Sequence, residues 1–311
     1  MNNEALDSYE KLNEEMKHII RTLTPYGNEV KGSSLYFKNR RSELLSMISF
    51  LNNKQRSPTL FLTLSAADLY WPNLLKKFGI NDQSNISIYE KKKLLSENYD
   101  IAASFFKRRL ESVIKYFYES KCLGEVTDHW FRIEFQNRGS PHAHGMIWIK
   151  DVKPLDAYEI GDLNDQIKET LLYVNDKIQA SYPMVQTPEK YKENFKSHPS
   201  MDEFIESKDE NIEKLDLQRC VHVLQKHKCS SLCLFKGKCK YKFPYQLSKE
   251  IYAVPNKDME YDLVIKRNHS NVNFYNKDIL RLWRANMDIK FITNMYAVAM
   301  YVAYYSSKSE E

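Results

Sequence analysis

"RIEFQNRGSPHAHGMIWIK", residues 132–150, sets two histidines one residue apart in an apolar run, just after a glutamate and a glutamine. In "HWFRIEFQ", Phe131, Ile133 and Phe135 alternate with Arg132, Glu134 and Gln136, the period-two pattern of a half-buried strand. Beyond "NRGSP", Ala143, Gly145, Ile147 and Ile149 alternate with His142, His144, Met146 and Trp148. Two such runs around a short turn predict a hairpin. Closed symmetrically around Gly139, it sets Gln136 opposite His142 and Glu134 opposite His144, all on one face, while the apolar face packs on helices. Two neutral imidazoles on one strand face can serve one cation, with an oxygen from Glu134 or Gln136. An open site of this kind suits a catalytic divalent ion better than a closed structural zinc. The plainer alternative is that both histidines satisfy hydrogen bonds at a sheet edge.

The flanking sequence predicts an α+β fold, with a central antiparallel sheet flanked by helices. "TLFLTLS", residues 59–65, has the short apolar character of a buried strand, and "NYDIAASFFKRRLESVIKYFYESKCLG" that of a long amphipathic helix closed by Gly124. "YDLVIKRNHSNVNFY" reads as further strands, "NKDILRLWRAN" as a short helix and "ITNMYAVAMYVAYYSSK" as a terminal helix. The expected organisation is a helical region at 1–58, a first core segment at 59–150 and an acidic helical insertion at 151–219. A Cys/His segment at 220–250 and a second core segment at 251–311 complete it.

The chain has 311 residues, 46 Lys+Arg against 41 Asp+Glu, so attraction to polyanions must come from local clusters and not from the net charge of +5. No secretory leader and no apolar run near about 18 residues is evident, which predicts a protein without membrane contact. Four of the five cysteines fall between Cys220 and Cys239, a clustering that favours metal over a disulfide framework. His227, Cys229, Cys233 and Cys239 supply four soft ligands that can enclose a tetrahedral structural zinc. Lys236, Lys238, Lys240 and Lys242 interleave with Phe235, Tyr241, Phe243 and Tyr245 in the same stretch, a composition that suits single-stranded nucleic acid. Arg138, in the hairpin turn, joins them as a candidate contact. A solvated, lysine-rich zinc loop is the competing reading. Tyr301 and Tyr305, four apart on the expected terminal helix, project from one face with Lys308 nearby; they are either packing aromatics or a nucleophile pair.

In order and content, "TPYGNEVKGSSLYFKNRRSELLSMI", "LFLTLSAADLYWPNLL", "FFKRRLESVIKYF", "RIEFQNRGSPHAHGMIW", "CKYKFPY", "IKRNHSNVNFYN", "LWRANMDIKFI" and "YVAYYSSK" resemble the amino-terminal Rep-like domain of Helitron transposons, a branch of the HUH endonucleases. The resemblance spans about residues 20–308 except the acidic insertion. It implies that His142-Ala143-His144 is the metal motif binding Mg²⁺ or Mn²⁺. It also implies that Tyr301 and Tyr305 match the tyrosines of Y-x-x-K-Y-x-x-K, forming a phosphotyrosine link to single-stranded DNA at transposon ends and target. The lysine between those tyrosines is Tyr304 here, leaving Lys308 as the basic residue nearby. Glu134 and Gln136 both stand as third-ligand candidates, with Gln136 nearer the histidine-bearing turn. Two imidazoles and an oxygen favour Mn²⁺ over Mg²⁺. The family also implies a nuclear location and a helicase domain elsewhere in the full-length protein, since no G-x-x-x-x-G-K-[ST] loop occurs here. The alternative is a non-catalytic single-stranded nucleic-acid binding module derived from such a transposase.

Overall fold

Alternation of Leu60, Leu62 and Leu64 with Phe61, Thr63 and Ser65 makes the strand on which the sheet is built; the three leucines are fully buried. The computed structural model describes residues 34–52, 57–81, 86–135, 140–155, 165–189, 192–199, 210–231, 233–255 and 261–293, with a few positions between 14 and 22. The chain divides into two units, Met1–Gln55 with Tyr296–Glu311, and Arg56–Met295.

Within the first unit, helix α1 (Ser34–Asn52) buries Leu44, Ile48 and Leu51 at helical spacing. The expected terminal helix, with Tyr301, Tyr305 and Lys308, lies outside the described residues.

The second unit runs β1 (Leu60–Ser65), α2 (Pro72–Lys77), α3 (Ile88–Glu97), α4 (Tyr99–Ser120), β2 (Val126–Phe135), β3 (Pro141–Ile149), α5 (Asp165–Lys177), α6 (Glu210–Cys220), β4 (Leu234–Phe235), β5 (Lys238–Cys239), β6 (Tyr252–Pro255), β7 (Tyr261–Val264), α7 (Lys277–Trp283) and β8 (Met287–Phe291). The main sheet is antiparallel in the order β2-β3-β1-β8, which bears out the α+β reading. Its apolar face, with Leu60, Leu62, Leu64, Ala143, Ile147, Met287 and Ile289, shares one core with Phe106, Leu110, Val113 and Phe117 of α4. A fully buried side chain of this size contributes about 1.5–3 kcal/mol, so this face fixes which residues point the other way.

Helix α4 does not run to Gly124. Lys121 takes the left-handed conformation at its end (φ 54°), and Gly124 (φ 101°) serves a close pass, where a Cβ would meet Ile149 Cγ2 at 3.0 Å. The stretch 261–275 forms less strand than expected: only β7, with single bridges at Arg267, Val272 and Tyr275. Asn268 explains part of this, because its side chain bonds both the N–H and the carbonyl of Tyr182 (2.6 and 2.9 Å) where a ladder partner would otherwise stand.

Two charged clusters tie the helices beneath the sheet. Arg109 of α4 lies over the rings of Trp71 and Trp283 (4.8 and 5.3 Å) and donates to the carbonyls of Leu282 and Trp283, satisfying the end of α7. Asp216 of α6 is fully buried and accepts from Arg284 (2.5 and 2.8 Å) and Arg281 (3.1 Å). Cys220, which borders the expected zinc segment in sequence, instead accepts from Arg284 at 3.1 Å. Burial pushes its thiol up to about 12 despite Arg284. Among the described residues no helix is long and apolar enough to cross a membrane.

Candidate functional site

The face of the sheet opposite the core is polar where β1, β2 and β3 meet. His142 pairs with Ser65 of β1 and Glu134 of β2; His144 pairs with Thr63 and Arg132. Asp288 of β8 lies opposite Thr63 on the far side. This corrects the expected register by one step of two residues: Glu134, not Gln136, is opposite His142, and Arg132, not Glu134, is opposite His144. The reason lies in Pro141, which begins β3 opposite Phe135; at a first strand position its missing N–H costs no ladder bond. The start of β3 is held further by Ser140 Oγ donating to Asp68 at 2.6 Å and Ala66 N–H donating to Pro141 O at 3.1 Å. A shift of two preserves the face, so the histidines and Glu134 still point the same way.

Glu134 reaches diagonally to His144, its Oε2 3.2 Å from Nε2. The two imidazoles lie nearly parallel, their centroids 6.5 Å apart. Each ring turns Nδ1 toward β1: His144 to Thr63 Oγ1 at 3.1 Å and His142 to Ser65 Oγ at 3.2 Å. Burial and the neighbouring His144 hold His142 down at about 4 against the opposing pull of Glu134, so it is a neutral imidazole near pH 7 with a lone pair to give. His144 is buried and its Nε2 is shielded from solvent, while His142 and Glu134 are half-buried; two imidazoles and a carboxylate are a mixed donor set of the kind that suits a divalent cation of the Mn²⁺ type. Thr63 and Ser65 were not among the sequence candidates. Their signal was the alternation of β1, which puts both hydroxyls on the parity opposite its leucines, as His142 and His144 stand opposite Ala143 and Gly145.

The second site is local. His227, Cys229, Cys233 and Cys239 bring one donor atom each within 4.8 Å of one another, and could hold a metal such as zinc; among the described residues this is the group of three or more such ligands that converges so closely. His227 Nε2 stands 3.3 Å from Cys239 Sγ and 3.6 Å from Cys233 Sγ. The β4–β5 hairpin supplies the turn, with Lys236 and Gly237 both at positive φ (48° and 75°), as a two-residue type I′ connection requires. Ser230 N–H donates to Cys233 Sγ at 3.2 Å. Desolvation raises the Cys239 thiol, but the N–H groups of Tyr241 and Phe243 and the neighbouring thiols outweigh it and hold Cys239 below the usual value. The His227 ring stacks on Phe243 at 4.4 Å, and His227 N–H donates to Asn271 O at 2.7 Å, docking the knuckle on the following segment. A four-ligand cluster of three thiols and one imidazole is the donor set of a closed zinc site.

Around this knuckle Lys236, Lys238, Lys240 and Lys242 are all exposed, as are Phe235 and Tyr241. His227 stacks on Phe243 and meets Tyr241 edge-on at 5.8 Å, Arg267 lies over Tyr245, and Phe235 and Tyr241 carry Lys236 and Lys240 near their rings at 5.5 and 5.1 Å. Gln136 and Arg138, like Tyr301, Tyr305 and Lys308, lie outside the described residues.

Residues 1–147 match the family model described as the Helitron helicase-like domain at the N-terminus. Comparison with curated proteins gives no match. The matched segment takes in β1, β2 and most of β3, and so both histidines of the sheet face. Over residues 1–147, just under half of its 311 residues, the chain is similar to the Helitron helicase-like N-terminal domain.

Proposed function

We propose that the chain is the metal-dependent, single-stranded DNA nicking and strand-transfer domain of a rolling-circle Helitron-type transposase. The observation that carries this reading is the placing of His142 and His144 on one sheet face with the Glu134 carboxylate 3.2 Å from His144, inside the Helitron-like segment. The chain's own residues have three tasks. His142, His144 and Glu134 hold the cation, with Gln136 a further candidate ligand. Tyr301 or Tyr305 attacks the scissile phosphorus: a bond forms from the phenolic oxygen, the bond to the 3′-oxygen breaks, and a free 3′-hydroxyl leaves. Lys308 offers positive charge near the phosphate. Bound Mg²⁺ or Mn²⁺ supplies Lewis acidity that draws charge from the phosphate oxygens. The tyrosine ester conserves the phosphodiester energy, so a later 3′-hydroxyl can rejoin the strand, and a second tyrosine permits a further transfer.

In the same reading the knuckle is a structural zinc staple that presents Phe235 and Tyr241 to bases, with Lys236, Lys238, Lys240 and Lys242 near phosphates and Arg138 a further candidate contact. A helicase region in the full-length protein and a nuclear place of action accompany this reading. A second reading, a binding module without catalysis, draws on the closer convergence of the Cys/His ligands compared with the sheet set. A labelled oligonucleotide from an element end, incubated with the chain and Mn²⁺ or EDTA, separates the two. A chelator-sensitive covalent adduct, absent in Tyr301→Phe/Tyr305→Phe, is the expected result. Binding without an adduct across such oligonucleotides would replace the enzyme with the module.

A further inference from the structure

The β1 strand mirrors the histidine strand. Thr63 and Ser65 stand two apart, as His142 and His144 do, and the antiparallel register brings each hydroxyl to one imidazole. Both contacts fall on the same ring atom: Thr63 Oγ1 to His144 Nδ1 at 3.1 Å and Ser65 Oγ to His142 Nδ1 at 3.2 Å. A hydroxyl can accept from an Nδ1–H, and a ring held that way keeps its Nε2 lone pair for a ligand. Glu134 Oε2 lies 3.2 Å from His144 Nε2, a distance at which the carboxylate accepts a hydrogen bond from that nitrogen until a cation takes the proton's place. Main-chain pairing on both sides of β3 fixes the strand, so the hydroxyls decide only the rotation and tautomer of the rings.

We propose that Thr63 and Ser65 are positioning residues for the histidine pair: their hydroxyls engage Nδ1 of each imidazole and keep Nε2 as the ligating atom. This rests on the reading of His142, His144 and Glu134 as a cation site, and two separate readouts test the two ideas. Outer partners of this kind typically change metal affinity by roughly 10- to 100-fold.

The first readout needs no catalytic cation. In the zinc-loaded chain without Mn²⁺, ¹⁵N-histidine NMR near pH 7 should find the His142 proton on Nδ1, and Ser65→Ala should move it toward Nε2. A proton on Nε2 in the wild type, or no change in Ser65→Ala, overturns the proposal. The second readout is Mn²⁺ affinity by electron paramagnetic resonance. Thr63→Val keeps the shape but loses the hydroxyl, and should weaken Mn²⁺ binding by roughly 10- to 100-fold with an unchanged melting temperature. Thr63→Ser should restore it. Wild-type affinity in Thr63→Val sinks the role of Thr63. If instead His142→Ala/His144→Ala leaves Mn²⁺ binding intact, the cation site itself is wrong, while the NMR result still decides whether Ser65 sets the His142 tautomer.

Discussion

The sheet pair and the knuckle use imidazoles in opposite ways. In the knuckle, His227 sits among three cysteines supplied by thirteen consecutive residues, and one tight turn brings all four donor atoms within 4.8 Å. On the sheet, the polar groups come from three strands distant in sequence, and only the pairing register brings Glu134, Thr63 and Ser65 to His142 and His144. The first arrangement is crowded with soft ligands and suits a closed structural ion; the second mixes nitrogen and oxygen donors backed by hydroxyls, with His144 buried and His142 and Glu134 half-buried. Convergence through a turn gives stability. Convergence through register depends on the pairing of three strands.

The largest expected effect breaks the knuckle alone. Cys233→Ser should drop bound zinc below half an equivalent by metal analysis. Structural zinc is worth about 10–16 kcal/mol in zinc-finger peptides near pH 7, so hydrogen exchange across 227–245 should rise sharply while the β1–β3 amides stay protected. The complementary change strains the sheet alone. A Cβ on Gly145 would lie 2.1 Å from Cε1 of the Phe131 ring, its cross-strand partner, so Gly145→Ala should force the ring off the sheet and cost about 1–3 kcal/mol in denaturant unfolding, with zinc retained. Phe235→Ala removes an exposed ring and should weaken single-strand binding by about 1–3 kcal/mol in a fluorescence titration without altering zinc content.

The smallest effect concerns the scaffold on which the sheet is mounted. His198 stacks on Tyr70 at 4.6 Å, and burial, with Arg219 and Arg284 nearby, holds it down at about 4 from the usual 6.5. Because the unfolded chain takes up a proton that the folded chain refuses, this stabilisation is complete above about pH 6.5 and is lost as pH falls from there toward about 4. His198→Gln should flatten that part of the stability profile, measured by chemical denaturation.

Much of this contrast was legible in the sequence, for physical reasons that differ between the regions. The knuckle was readable because its ligands are local, so spacing carries the geometry. The strands of the sheet were readable from alternation, since Leu60, Leu62 and Leu64 define one face without help from partners. Register was not, because a symmetric turn around Gly139 and one that starts β3 at Pro141 leave the same residues on the same face. Strand β8 was also missed: five residues directly after α7 give too short an alternation to stand out, and its pairing with β1 is what makes it a strand. The hydroxyls of Thr63 and Ser65 look ordinary until β1 is laid beside β3.

The central claim is that the sheet face, and not the knuckle, provides the cation on which chemistry depends. The direct measurement is covalent capture of a labelled single strand by zinc-loaded protein, comparing wild type with His142→Ala/His144→Ala. The account predicts a Mn²⁺-dependent adduct in the wild type and at least a hundred-fold loss, about 2.7 kcal/mol or more, in the double variant with zinc still bound. An adduct of undiminished yield in the double variant would contradict it.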